Sequence, residues 1–209
     1  KEWAGVDPDN GNPLRYMDEV DANDNPTGKR VTTSDYASAN YYYVNKSSLP
    51  KVYGGFNTSL SWKGFDLSAI FAYSIGGYIY NRDITMILHN GSLEGRDWST
   101  EILRRWTPEN RYTDVPALST TSNNWNSAST RFLQNNSYMR LKNLTLSYNL
   151  PKQLISKLAL SSVQVFVQGD NLFTIHRNQG LDPEQGITGI TYYRYPAMRT
   201  ISGGINLSF

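Results

Sequence analysis

Residues 52–75 alternate with a strict period of two, and that pattern restricts the chain to β-structure more sharply than any other feature. Val52, Gly54, Phe56, Thr58, Leu60 and Trp62 fall on one face, and Tyr53, Gly55, Asn57, Ser59 and Ser61 on the other. After the two-residue turn Lys63-Gly64 the pattern restarts, with Phe65, Leu67, Ala69, Phe71, Tyr73 and Ile75 opposite Asp66, Ser68, Ile70, Ala72 and Ser74. These two runs read as a hairpin. Leu144, Leu146, Tyr148 and Leu150 alternate likewise, although Met139 and Leu141 sit on the opposite parity and leave the register there open. Val163, Val165 and Val167 form another run, with Phe166 an aromatic exception on its polar side. The last run places Ile201, Gly203, Ile205, Leu207 and Phe209 on one face.

The connections alternate in length. Residues 63–64 and 151–160 are short, whereas 8–50, 76–137 and 174–197 are long, so short links lie at one end of the sheet and long ones at the other. Outer-membrane barrels have this organisation, with short periplasmic turns and long outer loops. About 11 residues per strand, at roughly 3.3 Å each and tilted by about 40°, project to roughly 27 Å, close to the apolar band of such barrels. The less apolar face carries Ser, Thr, Asn and Gly with few charges, which suits a wet lumen better than the outside of a soluble sandwich. The reading is therefore all-β: C-terminal strands of a large antiparallel transmembrane β-barrel. Residues 1–51 are mostly outer loop, 52–75 a hairpin, 76–137 a long outer loop and 138–173 two strands joined by a short inner turn. Residues 174–197 form another outer loop and 198–209 a terminal strand. A soluble β-sandwich keeps the same periodicity and stands as the alternative.

Two helical segments are expected. Residues 97–106 space Trp98, Ile102 and Trp106 at helical intervals, with Asp97 as cap and Pro108 as stop. Pro151 through Leu158 begins with a proline and places Leu154, Ile155 and Leu158 on one side. Charge excludes a further class: Lys plus Arg number 20 against 18 for Asp plus Glu, too even for a nucleic-acid-binding face. Cysteine is absent from all 209 residues, which removes disulfides and thiolate chemistry. No apolar run reaches the roughly 20 residues of a spanning helix, a test to which barrel strands are blind.

Several strings then carry a resemblance. Ala4-Gly5-Val6-Asp7-Pro8, Leu49-Pro50-Lys51-Val52-Tyr53-Gly54-Gly55-Phe56, and Arg105-Trp106-Thr107-Pro108-Glu109-Asn110 come first. They are followed by the run Tyr138-Met139-Arg140-Leu141-Lys142-Asn143 to Pro151, Gln168-Gly169-Asp170-Asn171-Leu172-Phe173-Thr174, Gly180-Leu181-Asp182-Pro183-Glu184 and Tyr195-Pro196-Ala197-Met198-Arg199. In this order they resemble the C-terminal barrel of the SusC/RagA family of TonB-linked outer-membrane transporters. The resemblance implies a barrel of 22 strands, a plug and a TonB-contacting segment, neither of the last two present in this sequence. With about five strands and no initiating Met, the chain reads as the C-terminal part of a longer transporter, one that would aggregate alone through its open edges and apolar surface. The implied function is TonB-dependent import of oligosaccharides, or peptides, with a SusD-like surface lipoprotein as lid. A passive or adhesive outer-membrane barrel and a soluble glycan-binding sandwich are the competing readings.

An enzyme needs convergent titratable groups, and the sequence presents none. His89 and His176 lie in different loops and read as solvated residues. Asp66 reads as lumen-lining. Asp21, Asn23 and Asn25 offer oxygens at alternate positions as a calcium loop does, but Pro26 and Thr32 stand where such a loop needs Gly and Glu. Calcium is the one cofactor this pattern suggests. Loop aromatics Trp98, Trp106, Tyr112, Trp125, Tyr192 and Tyr193 can stack on a sugar ring and are the expected substrate contacts. Phe209, with Leu207 and Ile205 on the same face, resembles a barrel-assembly signal next to outer-membrane lipid.

Overall fold

The computed structural model describes residues 1–91, 93, 95–119, 124–156, 160–178, 180, 182–184, 188–191 and 193–209. Its strands are β1 (Trp3–Val6), β2 (Pro13–Val20), β3 (Pro26–Thr33), β4 (Pro50–Trp62), β5 (Phe65–Gly76), β6 (Tyr78–Tyr80), β7 (Leu133–Asn135), β8 (Tyr138–Asn149), β9 (Ser162–His176) and β10 (Thr200–Ser208), with short helices α1 (Arg82–Ile87) and α2 (Lys152–Ile155). The chain forms two compact units. One holds Lys1–Lys46, Ile79–Gln134 and Thr188–Tyr193; the other holds Ser47–Tyr78, Asn135–Ile187 and Arg194–Phe209.

The second unit is a five-stranded antiparallel sheet in the order β10-β9-β8-β5-β4. Lys63 and Gly64 both adopt positive φ, at 47° and 86°, as a two-residue hairpin turn requires. They set the register Trp62 opposite Phe65 and Phe56 opposite Phe71, whose rings stack at 4.7 Å. The open parity at 139–146 is resolved by a bulge. Pairing of β8 shifts between Leu141 and Asn143: against β5 Lys142 is the extra residue, and against β9 the irregularity sets Lys142 opposite Asn171 and Leu172. Met139 and Leu141 on one side of it, and Leu144, Leu146 and Tyr148 on the other, consequently meet apolar partners on a single face.

Most of that face is solvent-exposed, from Leu60 at 66% through Val167 at 48% to Ile201 at 71%, with Ala69, Leu141 and Val163 covered by their neighbours. A contiguous apolar surface of this kind, unburied by the chain itself, is what a lipid-facing wall presents. The other face is hydrogen-bonded from strand to strand. Ser61 Oγ donates to Asp66, Asn149 Nδ2 donates to Asp66 at 2.7 Å, Gln164 Nε2 to Asn149 at 3.1 Å and Asn206 Nδ2 to Gln164 at 3.1 Å. All five strands join this ladder. Phe166 interrupts the polar face because Gly204 opposite it leaves the room; a Cβ there would lie 2.8 Å from the Phe166 ring.

The first unit corrects two expectations. Residues 1–51, read mostly as loop, contain a three-stranded antiparallel sheet in the order β1-β2-β3. The segment 97–106 is not an α-helix; only Thr100–Arg104 turns, as a 3₁₀ helix capped by Ser99 rather than Asp97. The reason is visible at Trp106, whose backbone N–H donates to Val115 O at 2.8 Å instead of continuing a helical ladder. The core of this unit is Leu88, Ile102, Val115 and Trp125, with Ile84 of α1 packed against it. Helix α1 itself falls within the span read as loop. In the inner turn, α2 ends at Ile155, and Leu158 lies outside the described residues.

Candidate functional site

The densest polar constellation lies on the ladder face of β8. Arg140 is buried, its side chain 4% exposed, and its guanidinium reaches Asp182 Oδ1 at 2.6 Å, Glu184 Oε2 at 2.5 Å and Thr174 Oγ1 at 2.8 Å. Lys142 Nζ, presented by the bulge, adds a second ion pair to Glu184 at 2.9 Å. Asp182 Oδ1 also accepts the Glu184 backbone N–H, and its Oδ2 accepts that of Ala197 at 2.6 Å. Burial alone would raise the Asp182 carboxyl; the hydrogen bonds from Arg140, Ala197 and Glu184 outweigh it and hold the group below its ordinary value. The residues of three separated strings, 138–142, 180–184 and 195–199, are thus one clamp that fixes a loop to the strand wall. Next to the clamp is a cavity of about 450 Å³, lined by Arg140, Thr174, His176, Asp182 and Arg199 among others.

A second cleft, of about 820 Å³, lies in the other unit, between β1 and the 103–114 segment. Gly5, Val6 and Pro8 line one side, and Arg104, Tyr112 and Asp114 the other. Arg104 is held by Glu101 and by Asp114, the latter at 3.1 Å. Trp106 Nε1 donates to Pro8 O at 3.0 Å, tying the two sides together. Gly11, at φ 75°, is required here: a Cβ would lie 2.6 Å from Ala117 Cβ and 2.7 Å from the Trp106 ring.

The expected substrate aromatics separate accordingly. Tyr112 is 92% exposed on the second cleft. Tyr193 is also exposed, its backbone N–H donating to Asp83 at 3.1 Å. Trp98 is half-exposed and its indole N–H donates to His89 Nδ1 at 3.2 Å. Trp106 braces the cleft as described. Trp125 is a correction: it is 1% exposed, in the core, with Nε1 donating to Ala117 O at 2.6 Å, because its ring is the largest body available to fill that core. Tyr192 lies outside the described residues.

His89 is a second correction. It is buried rather than solvated, and Nδ1 accepts from both the Trp98 indole and the Gly91 N–H. His176 is exposed, with Nδ1 2.9 Å from Asn178 O. At the calcium-like turn, Asp21 Oδ1 accepts the backbone N–H of Asn23 at 2.8 Å and of Asn25 at 3.0 Å, closing the β2–β3 hairpin. The Asn25 and Asn23 amides draw its carboxyl below the ordinary range. Among the described residues, no group of three or more His, Asp or Glu is placed to hold a metal.

Two guanidinium groups packed on aromatic rings in the first unit escaped the sequence reading. Arg15 is fully buried, its guanidinium 4.8 Å from the Tyr36 ring, and Arg131 lies 5.0 Å from Trp3 and 5.4 Å from Trp125. Burial lowers Arg131 to about 10. Aromatic faces take the place of carboxylates here, a use of Trp and Tyr that spacing does not reveal.

No family model matches the chain. It is 34% identical over 166 residues to the TonB-dependent receptor P3 of Formosa agariphila, covering 74% of this chain and 16% of that protein. It is 30% identical over 204 residues to the TonB-dependent receptor SusC of Bacteroides thetaiotaomicron, covering 96% of this chain and 18% of that protein. The solved RagAB peptide transporter superimposes on the whole chain at a TM-score of 0.83 with 36% identity, over 22% of its own length. The chain belongs to the SusC/RagA family of TonB-dependent receptors. It spans less than a fifth of the curated relatives it matches. As a SusC-like segment it is part of an outer-membrane β-barrel, which replaces the soluble-sandwich reading and assigns the exposed apolar face of β4, β5, β8, β9 and β10 to lipid. Ile205 and Leu207 lie on that face. The hydrogen-bonded face is then the lumen side.

Proposed function

We propose that the chain supplies barrel wall and outer loops to a TonB-dependent importer that takes up oligosaccharides, or peptides, with a SusD-like surface lipoprotein as its lid. The observation that supports this most directly is the sheet with one lipid-compatible face and one continuously hydrogen-bonded face, carried by a chain whose relatives are named as receptors and transporters rather than enzymes. Its role is mechanical and recognitive. TonB acts through a part of the receptor outside these residues. The second cleft, with an exposed Tyr112 and the Arg104–Asp114 pair, has the mixture of stacking surface and hydrogen-bonding groups that a sugar or an extended peptide needs.

The test is uptake of fluorescently tagged oligosaccharide and peptide pools by cells carrying the full receptor, with and without tonB. Accumulation that vanishes without tonB is expected; equal accumulation in both strains would establish the passive-barrel reading instead. The Tyr112→Ala receptor is expected to bind the imported ligand up to about tenfold more weakly, the scale of one lost aromatic contact, with unchanged stability. Equilibrium binding to detergent-purified receptor measures it.

A further inference from the structure

The cavity beside the Arg140 clamp has a charge balance that the clamp leaves unfilled. Arg140 and Lys142 share two carboxylates, Asp182 and Glu184. Arg199 is a third cation on the same cavity, exposed, and it forms no ion pair among the described residues. Among the described residues the one carboxylate lining the cavity is Asp182, and its oxygens are already occupied by Arg140, the Glu184 N–H and the Ala197 N–H. Thr174 Oγ1 accepts from Arg140 Nε, which leaves the hydroxyl proton free to donate into the space. His176 lines the same cavity, with Nδ1 turned to Asn178 O.

We propose that this cavity binds a small oxyanion, a carboxylate or phosphate group, held by the Arg199 guanidinium and the Thr174 hydroxyl over a floor in which Arg140 is already neutralised by its carboxylates. The guanidinium supplies paired donors of the geometry that such groups accept. Arg140 stays committed to its loop, so the site adds a ligand without dismantling the clamp. Neither the import reading nor the identity of the transported molecule enters this assignment.

The full-length receptor, purified in detergent, is titrated calorimetrically with sodium phosphate and, separately, with sodium acetate, at constant ionic strength set by chloride. Saturable one-to-one binding of at least one of them is expected, weakened at least tenfold in Arg199→Gln, weakened less in Arg199→Lys, which keeps the charge but not the paired donors, and unchanged in Arg30→Gln, an exposed cation of the other unit. Binding of acetate with this Arg199 dependence supports a carboxylate-bearing ligand, and binding of phosphate alone supports a phosphate-bearing one. Absence of saturable binding of either, or equal loss in Arg199→Gln and Arg30→Gln, overturns the site. Intact heat-resistant migration of each variant on electrophoresis shows that its barrel is folded.

Discussion

Arg140→Met in the full-length receptor is expected to free the 180–184 segment and to cost about 3 kcal/mol, the lower end of what removal of one partner from a buried ion pair costs. The reason is what remains behind. Asp182 would keep its backbone donors, but its side chain, 6% exposed, would lose the Arg140 guanidinium, and Glu184 would retain Lys142 and the Tyr138 hydroxyl. Denaturant unfolding in detergent gives the cost, and protease cleavage within 177–199 reports the freed loop. The double variant Arg140→Met/Asp182→Asn is expected to lose less than the sum of the two singles, because the uncompensated charge is gone. A single variant within about 0.5 kcal/mol of the parent would mean that the clamp is ornamental. The acid dependence follows from Asp182. Its carboxyl is depressed in the folded state, so it contributes stability above the unfolded value near 3.9, and that contribution disappears as pH falls through the folded value. The loop should therefore stay fixed at neutral pH and loosen only in acid below about pH 4.

Legibility from sequence was governed by how local the deciding interaction is. The β4–β5 hairpin was readable because its turn and both faces are contained within 52–75. The register of β8 was not, since the bulge at Lys142 against β5 coincides with an irregularity of β9 at Asn171–Leu172 and with the Lys142 bond to Glu184, 42 residues away. Trp98, Ile102 and Trp106 have the spacing of a helix, yet Trp106 is claimed by Val115 and Pro8, and those long-range bonds outweigh local propensity. Strands β2 and β3 were missed because β3 is almost wholly exposed and polar, so it shows no alternation to read. The strings that carried the family resemblance were informative for a related reason: 138–142, 180–184 and 195–199 each hold part of one clamp, which no single string discloses.

Trp125→Ala is expected to cost about 3–5 kcal/mol, the scale for emptying a buried Trp site. The indole fills the space among Leu88, Ile102 and Val115, and its N–H satisfies Ala117 O; truncation leaves a void and an unpaired carbonyl together. Trp125→Phe should recover most of the packing and lose only the hydrogen bond, about 1 kcal/mol. Cleavage within 79–134 under limiting protease, followed as a function of denaturant, distinguishes the three proteins. Tyr112 behaves in the opposite way. Both residues are loop aromatics of the kind that binds sugars, and sequence position alone treats them alike. Burial separates them: the exposed Tyr112 should change ligand affinity at constant stability, and the enclosed Trp125 should change stability, with affinity falling only as the folded fraction falls. A Trp125→Ala receptor of native stability and impaired binding would return that ring to the ligand and remove it from the core.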